Sequence, residues 1–102
     1  MELDRLIQER RSYRSLEQTE ISRDHIDELA KAAQLTLSCY NNQPWRYVFA
    51  HNEKTLENMH EALAKGNEWA KRASLIVAVA SKPDLDCQVK GREYYLFDTG
   101  MA

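Results

Sequence analysis

The feature that most constrains the fold is the apolar run Leu75–Ala80, which is rich in β-branched side chains. A continuous run of this kind is typical of a strand that is covered on both faces. It is far too short to span a bilayer, which needs about 20 apolar residues. Helical periodicity precedes it, because Ser22 can cap a helix with apolar positions from 26 to 37, and residues 56–63 repeat that spacing. We therefore expect helices that flank a sheet.

The remaining segments predict the order helix, helix, strand, helix, strand, helix. Leu3, Leu6 and Ile7 share one helical face, so residues 2 to about 10 are predicted to form a short helix, and Gly66 is expected to close the third helix. Residues 40–44 favour a turn, because Asn-Asn and Gln-Pro disfavour a helix. Residues 46–50 are predicted to form a strand, and residues 94–102 to begin a last helix. The order indicates a mixed α/β or α+β fold in one domain, residues 1–102.

Composition is that of an ordinary folded protein, with 43% hydrophobic and 29% charged residues, which argues against disorder. The formal net charge of −2 gives no electrostatic reason to expect nucleic acid or an anionic membrane as partner. The charged N-terminus lacks the apolar core of a signal peptide. Cys39 and Cys87 are far apart and form no metal or redox motif. We therefore expect a reducing cytoplasm and no disulfide scaffold.

A basic motif follows the first predicted helix and places three guanidiniums and one hydroxyl within five residues: Arg10, Arg11, Ser12 and Arg14. Arginine forms forked, charge-assisted hydrogen bonds to a phosphate, and serine adds a further donor. A loop after a helix would let these groups converge. In the alternative interpretation, the arginines complement the helix dipole and stay solvated, as charged residues commonly do.

A second polar motif, Ser38–Trp45, interrupts the helical pattern with the residues Ser-Cys-Tyr-Asn-Asn-Gln-Pro-Trp. The side chains of Ser38, Asn41 and Gln43 offer hydrogen-bond donors and acceptors. Such groups suit the edge of a heteroaromatic ring that alternates N–H, N and C=O. The alternative is a helix stop followed by a turn, with the tryptophan as a buried anchor.

In this order, the two motifs resemble those of the FMN-dependent nitroreductase family. The resemblance rests on Arg-Arg-Ser-Tyr-Arg at 10–14 and on Ser38–Trp45, and Thr36-Leu37 departs from the usual Ala-Pro. It continues through 73–80, which is similar to the family's buried strand, and 98–102, which is similar to the start of its central helix. The match therefore runs along essentially the whole chain. It implies an α+β, nitroreductase-like mixed sheet flanked by helices, present here only as far as its second strand.

The resemblance also implies a cofactor, partners and a set of binding residues. FMN would lie at the interface of a homodimer, take hydride at N5 from NADH or NADPH, and reduce a nitroaromatic, quinone or similar small acceptor. No side chain would be catalytic, because the chemistry occurs on the flavin. The phosphate and ribityl chain would be held by Arg10, Arg11, Ser12 and Arg14. The residues near the flavin ring, in many members that of the opposite subunit, would be Ser38, Cys39, Asn41 and Gln43.

Three functions are compatible with this sequence. The first is an FMN-dependent NAD(P)H oxidoreductase, or the N-terminal portion of one, because the family fold continues beyond the residues present here. The second is a non-catalytic dimerising or FMN-binding module derived from the family. The third is a small interaction domain without flavin, in which the arginines form only a surface patch. No metal is expected, because His25, His51 and His60 lack ligand spacing.

Overall fold

The computed structural model describes residues 2–102, in which four α-helices accompany two small antiparallel sheets. The elements in chain order are α1 (Leu3–Glu9), α2 (Arg23–Gln34), β1 (Trp45–Ala50), α3 (Glu53–Ala62), β2 (Ile76–Ser81), β3 (Gln88–Val89), β4 (Arg92–Glu93) and α4 (Tyr95–Met101). The predicted order of helices and strands is confirmed. The β3–β4 hairpin is additional, since strands of two residues are too short to show an alternating pattern. No helix in residues 2–102 combines the length and apolarity that crossing a membrane requires.

The start of α2 is determined by local hydrogen bonds, as the sequence predicts. Ser22 Oγ accepts a hydrogen bond from the backbone N–H of His25, and His25 Nδ1 accepts one from the N–H of Ser22. This reciprocal arrangement satisfies N–H groups that a helix start leaves without partners. The helix ends at Gln34, before the predicted limit of Leu37. Its last turn tightens, and Leu37 is 69% exposed, so its side chain contributes no packing that would extend the helix.

The main sheet pairs β1 with β2 in antiparallel register, from Trp45 opposite Ser81 to Ala50 opposite Ile76. A hydrogen bond from the N–H of Lys82 to the carbonyl of Pro44 extends the pairing by one step. Trp45 and Ala50 are buried at the two ends of β1. The pairing of the sheet therefore fixes the C-terminal end of the polar motif at 38–45, where the motif enters β1.

Neither face of this sheet is fully covered, contrary to the expectation for Leu75–Ala80, and Val48 on the face away from the groove is 57% exposed. Val77 and Val79 are 38% and 45% exposed, and with Tyr47 and Phe49 they line a groove beneath α2. The physical reason is that the described part of the sheet has only two strands, and α2 is separated from them by the groove instead of filling it. The prediction of a strand from the apolar composition of Leu75–Ala80 is therefore confirmed. The prediction that both faces of this strand are buried is wrong for residues 2–102.

The Tyr47 hydroxyl in this groove is buried and has no hydrogen-bond partner among residues 2–102. Burial raises the pKa of the phenol above its ordinary 10.0. We expect Tyr47→Phe to raise the free energy of unfolding by about 1 kcal/mol in neutral solution, because it removes an unsatisfied buried hydroxyl. Urea unfolding measures this change. Tyr40→Phe is the control, since Tyr40 is 80% exposed and its substitution should change stability by less than about 0.5 kcal/mol.

The raised pKa of Tyr47 also gives this prediction a pH dependence. The unfolded phenol ionises near its ordinary pKa of 10.0, whereas the folded phenol keeps its proton to higher pH. The stability of the unmodified protein therefore falls as pH rises from the unfolded pKa toward the folded one. Tyr47→Phe should lose less stability over that alkaline range. A Tyr47→Phe protein that is destabilised in neutral solution would show that the hydroxyl has a favourable partner.

Candidate functional site

The basic motif lies directly after α1 in extended backbone, so its predicted position on a loop is confirmed. Arg10 follows the last helical residue with φ −56° and ψ 133°, and residues 10–14 are all exposed. Arg10 Nη1 donates a 3.2 Å hydrogen bond to Ser12 Oγ. One guanidinium and the hydroxyl of the motif are therefore already adjacent, and both face solvent.

The other two arginines of the motif have different partners. Arg11 Nη1 donates to the carbonyl of Gln8 at 2.7 Å and to that of Arg10 at 2.8 Å. It therefore supports the end of α1 in the way the helix-dipole interpretation describes. The guanidinium carbon of Arg14 lies 5.9 Å from the ring centre of Trp69, within the range of a cation–π contact. Nothing in the local sequence around Trp69 indicates this contact.

The second motif forms a compact turn, and we call its residues Ser38–Gln43 the ring loop. Ser38 Oγ accepts a hydrogen bond from the backbone N–H of Gln43 at 3.0 Å. Gln43 Nε2 in turn donates to Asn41 Oδ1 at 3.1 Å. The structure therefore brings together three of the residues predicted to lie near the flavin ring. The Asn41 amide N–H groups and Gln43 Oε1 have no protein partner among residues 2–102, which leaves a donor and an acceptor side by side.

The ring loop holds three non-glycine residues in the left-handed region. The φ angles are 51° at Tyr40, 54° at Asn41 and 52° at Gln43. Asparagine tolerates this conformation better than most residues, whereas a tyrosine there costs on the order of 1 kcal/mol. Strain of this kind persists only where the surrounding structure holds it.

A disulfide joins Cys39 of the ring loop to Cys87, with Cα atoms 5.8 Å apart and a sequence separation of 48. The expectation that the chain has no disulfide is therefore wrong. The spacing of the cysteines gave no sign of it, because the pair forms only when the β1–β2 sheet brings the ring loop beside the segment before β3. Cys39 is thus not a free thiol in this structure, and its predicted contact with a flavin stays a prediction.

Asp98 in α4 is the most buried charged residue among those described, at 2% exposure. Its Oδ2 accepts the backbone N–H of Cys39 at 3.1 Å. Asp86 lies beside it and accepts the N–H of Tyr94. The Asp86 and Asp98 carboxylates and Cys87 Sγ lie within 4.8 Å of one another. Each of these groups has a structural partner, so the cluster connects the ring loop to the start of α4.

The two predicted halves of the site do not meet within one chain. Across residues 2–102, no hydrogen bond or ion pair joins the basic motif to the ring loop. Each half nevertheless suits part of one ligand. Arg10 and Ser12 present adjacent exposed donors of the kind that bind a phosphate. Asn41 and Gln43 present the paired donor and acceptor that a heteroaromatic edge requires.

Comparison with known proteins gives a consistent result. The nitroreductase family model matches residues 7–100. An Archaeoglobus fulgidus protein, provisionally named NADH dehydrogenase/NAD(P)H nitroreductase, is 33% identical over 81 residues, or 79% of this chain. The crystal structure of a nitroreductase family protein from Clostridium novyi NT superposes with a TM-score of 0.84 at 25% identity. That of an oxidoreductase containing FMN gives 0.82 at 30% identity.

The match covers nearly all of this chain but only part of each relative. Both solved structures align with 99% of the chain, which covers 59% and 54% of their own length. The alignment with the Archaeoglobus protein spans 46% of that protein. This chain therefore spans about half the length of the relatives it matches.

Proposed function

Because the chain belongs to the nitroreductase family, we propose that it binds FMN and supplies the N-terminal portion of an NAD(P)H-dependent oxidoreductase. The electron acceptor is a nitroaromatic, a quinone or a similar small molecule. The observation that carries this proposal is the convergence of Ser38, Asn41 and Gln43 in one strained turn. A turn that only ended the helix would not require this strain, because helices commonly end without non-glycine residues in the left-handed region.

The basic motif binds the phosphate end of FMN in this proposal. The Arg10 guanidinium and Ser12 hydroxyl are adjacent at 3.2 Å and turn together toward a phosphate. Arg11 leaves its two present partners, the carbonyl of Gln8 in the last turn of α1 and that of Arg10, when it binds the phosphate. Arg14, whose guanidinium lies over the Trp69 ring, contributes a third positive charge to the phosphate site. The positive charge of the three side chains complements the dianionic phosphate.

The ring loop binds the flavin ring, with Ser38, Cys39, Asn41 and Gln43 as the contributing residues. The chemistry that bound FMN supplies is acceptance of a hydride from NADH or NADPH and delivery of electrons to the acceptor. The part of this chain is to orient the ring and to offer fixed N–H donors where negative charge develops. The free donor is the Asn41 side-chain amide, whose Oδ1 accepts a hydrogen bond from Gln43 Nε2. Because that bond already holds the amide, the donor needs little reorganisation when charge appears.

The complete site forms between two copies of the chain. Among residues 2–102, no hydrogen bond or ion pair joins the two halves, so a ring loop from one copy and a basic motif from the other would complete each site. Exposed apolar side chains near both halves support a homodimer: Leu3, Ile7, Leu96 and Phe97 are each between 66% and 69% exposed. Burying them against a partner removes apolar surface from water. We place this dimer in the cytoplasm, where NADH and NADPH are available.

Anaerobic addition of NADH or NADPH to the FMN-loaded protein tests the oxidoreductase function. We expect one of the two donors to bleach the visible flavin absorption, and a quinone or nitroaromatic to restore it. Free FMN at the same concentration is the control, since it sets the background rate of reduction. Bound flavin that neither donor bleaches would refute the oxidoreductase. It would instead support the second candidate, a non-catalytic FMN-binding module, which the half-length match favours.

A further inference from the structure

The ring loop is attached to the rest of the fold by very few interactions. The Cys39–Cys87 disulfide and the Asp98 carboxylate hold its beginning. The Arg46 guanidinium holds its end by donating to the carbonyl of Gln43 at 3.0 Å. Tyr40, at the middle of the loop, is 80% exposed, so its side chain adds no packing. Among the described residues, the disulfide is thus the only covalent cross-link between this strained loop and the rest of the fold.

We propose that the Cys39–Cys87 disulfide is a redox switch for the ring loop. The intact bond holds the loop in its left-handed conformation, and reduction lets the loop open. This inference rests on the proposed function, which places the loop against the flavin ring. In the cytoplasm, a protein disulfide is usually transient, catalytic or redox-sensing rather than a permanent scaffold. A disulfide that ends inside a ligand loop fits that regulatory role.

The reaction is an exchange with a cellular dithiol. A thiolate of the reductant attacks Cys39 Sγ, because Cys39 is half-buried whereas Cys87 is only 6% exposed. The sulfur of Cys87 leaves and takes a proton, and a mixed disulfide forms at Cys39. The second thiol of the reductant then displaces Cys39. The protein gains two electrons and two protons as two thiols, and the dithiol becomes a disulfide.

Loss of the disulfide should change the balance between closed and open loops. The left-handed residues favour opening, because relaxed backbone relieves their strain. The Asp98 hydrogen bond to the N–H of Cys39 and the hydrogen bonds inside the loop oppose opening, but each is far weaker than the covalent bond that reduction removes. If about a tenth of the loops stay closed, the apparent Kd for FMN rises about tenfold, since only the closed loop binds.

Amide hydrogen exchange and FMN titration, each with and without dithiothreitol, test the switch. The N–H groups of Asn41, Asn42 and Gln43 are all bonded inside the loop. We expect dithiothreitol to speed their exchange by at least about tenfold, since exchange follows the open fraction, and to raise the FMN Kd about tenfold. Exchange in α2 should stay unchanged. Reoxidation with a small disulfide should restore both values.

Cys87→Ala is the matched control, because it removes the disulfide but keeps Cys39 in the loop. We expect its ring loop to exchange quickly with or without dithiothreitol. Equal exchange and equal FMN affinity in the two redox states of the unmodified protein would overturn the switch while leaving the proposed function intact. An oxidised protein that binds no FMN would refute both. If the variant fails to fold, the reversible change in the unmodified protein still decides the question.

Discussion

Replacing both Cys39 and Cys87 by alanine is expected to lower the free energy of unfolding by about 2–5 kcal/mol. The disulfide spans 48 positions, and for a closed loop of that length the chain-entropy treatment gives about 4 kcal/mol. Alanine is chosen because a serine hydroxyl at buried Cys87 would add a desolvation cost of its own. Urea unfolding of the oxidised protein and of the variant, both without reductant, measures the difference.

Unfolding of the unmodified protein in dithiothreitol is the control for this loss. It breaks the same bond without changing the packing of Cys87, so it should reproduce most of the difference. The free energy of unfolding of a small domain is about 5–15 kcal/mol, so a loss of this size is a large share of the stability. A loss below about 0.5 kcal/mol in both experiments would contradict a structural role of the bond.

The combined substitution Arg11→Ala and Ser12→Ala is expected to raise the Kd for FMN about 100-fold or more. Each side chain gives the phosphate one charge-assisted hydrogen bond, which contributes about 1.5–3 kcal/mol. Because both positions are exposed, the lower end of that range is the appropriate one. Two bonds of about 1.5 kcal/mol correspond to a factor of about 100 in the equilibrium constant. Fluorescence titration of FMN measures the change.

Arg23→Ala is the matched control for the basic motif. Arg23 is an exposed arginine on α2 that pairs with Asp27 at 3.0 Å. Its removal also subtracts one positive charge but should leave the FMN Kd unchanged. The circular dichroism spectrum must also be compared, because Arg11 bonds two carbonyls at the end of α1. Equal FMN affinity of the double variant and the control would refute the phosphate assignment.

Local chemistry explains which parts of the fold could be predicted from the sequence. The Ser22 cap, the turn at 40–44 and the strand at 46–50 depend on neighbouring residues, so the sequence contains their determinants. The convergence of Ser38, Asn41 and Gln43 is similar, because all three belong to one turn. Such features need no knowledge of the tertiary structure.

The missed features depend on residues that are distant in sequence. The Cys39–Cys87 bond and the Asp98 hydrogen bond to Cys39 join residues that are 48 and 59 positions apart. Asp98 follows the helical pattern of α4, so nothing in its local sequence indicates burial. The exposure of Val77 and Val79 has the same origin, since burial of a strand face depends on what packs against it. The contact of Arg14 with Trp69 likewise forms only in the folded chain.

Titration of the oxidised, unmodified protein with FMN tests most directly whether the basic motif and the ring loop form a flavin site. The visible absorption spectrum and the sedimentation of the protein are followed together. We expect saturable binding, a shifted flavin spectrum and a dimer that binds one FMN per chain, because a two-fold dimer has two equivalent sites. A spectrum that equals the sum of free FMN and free protein at every ratio would contradict the flavin site.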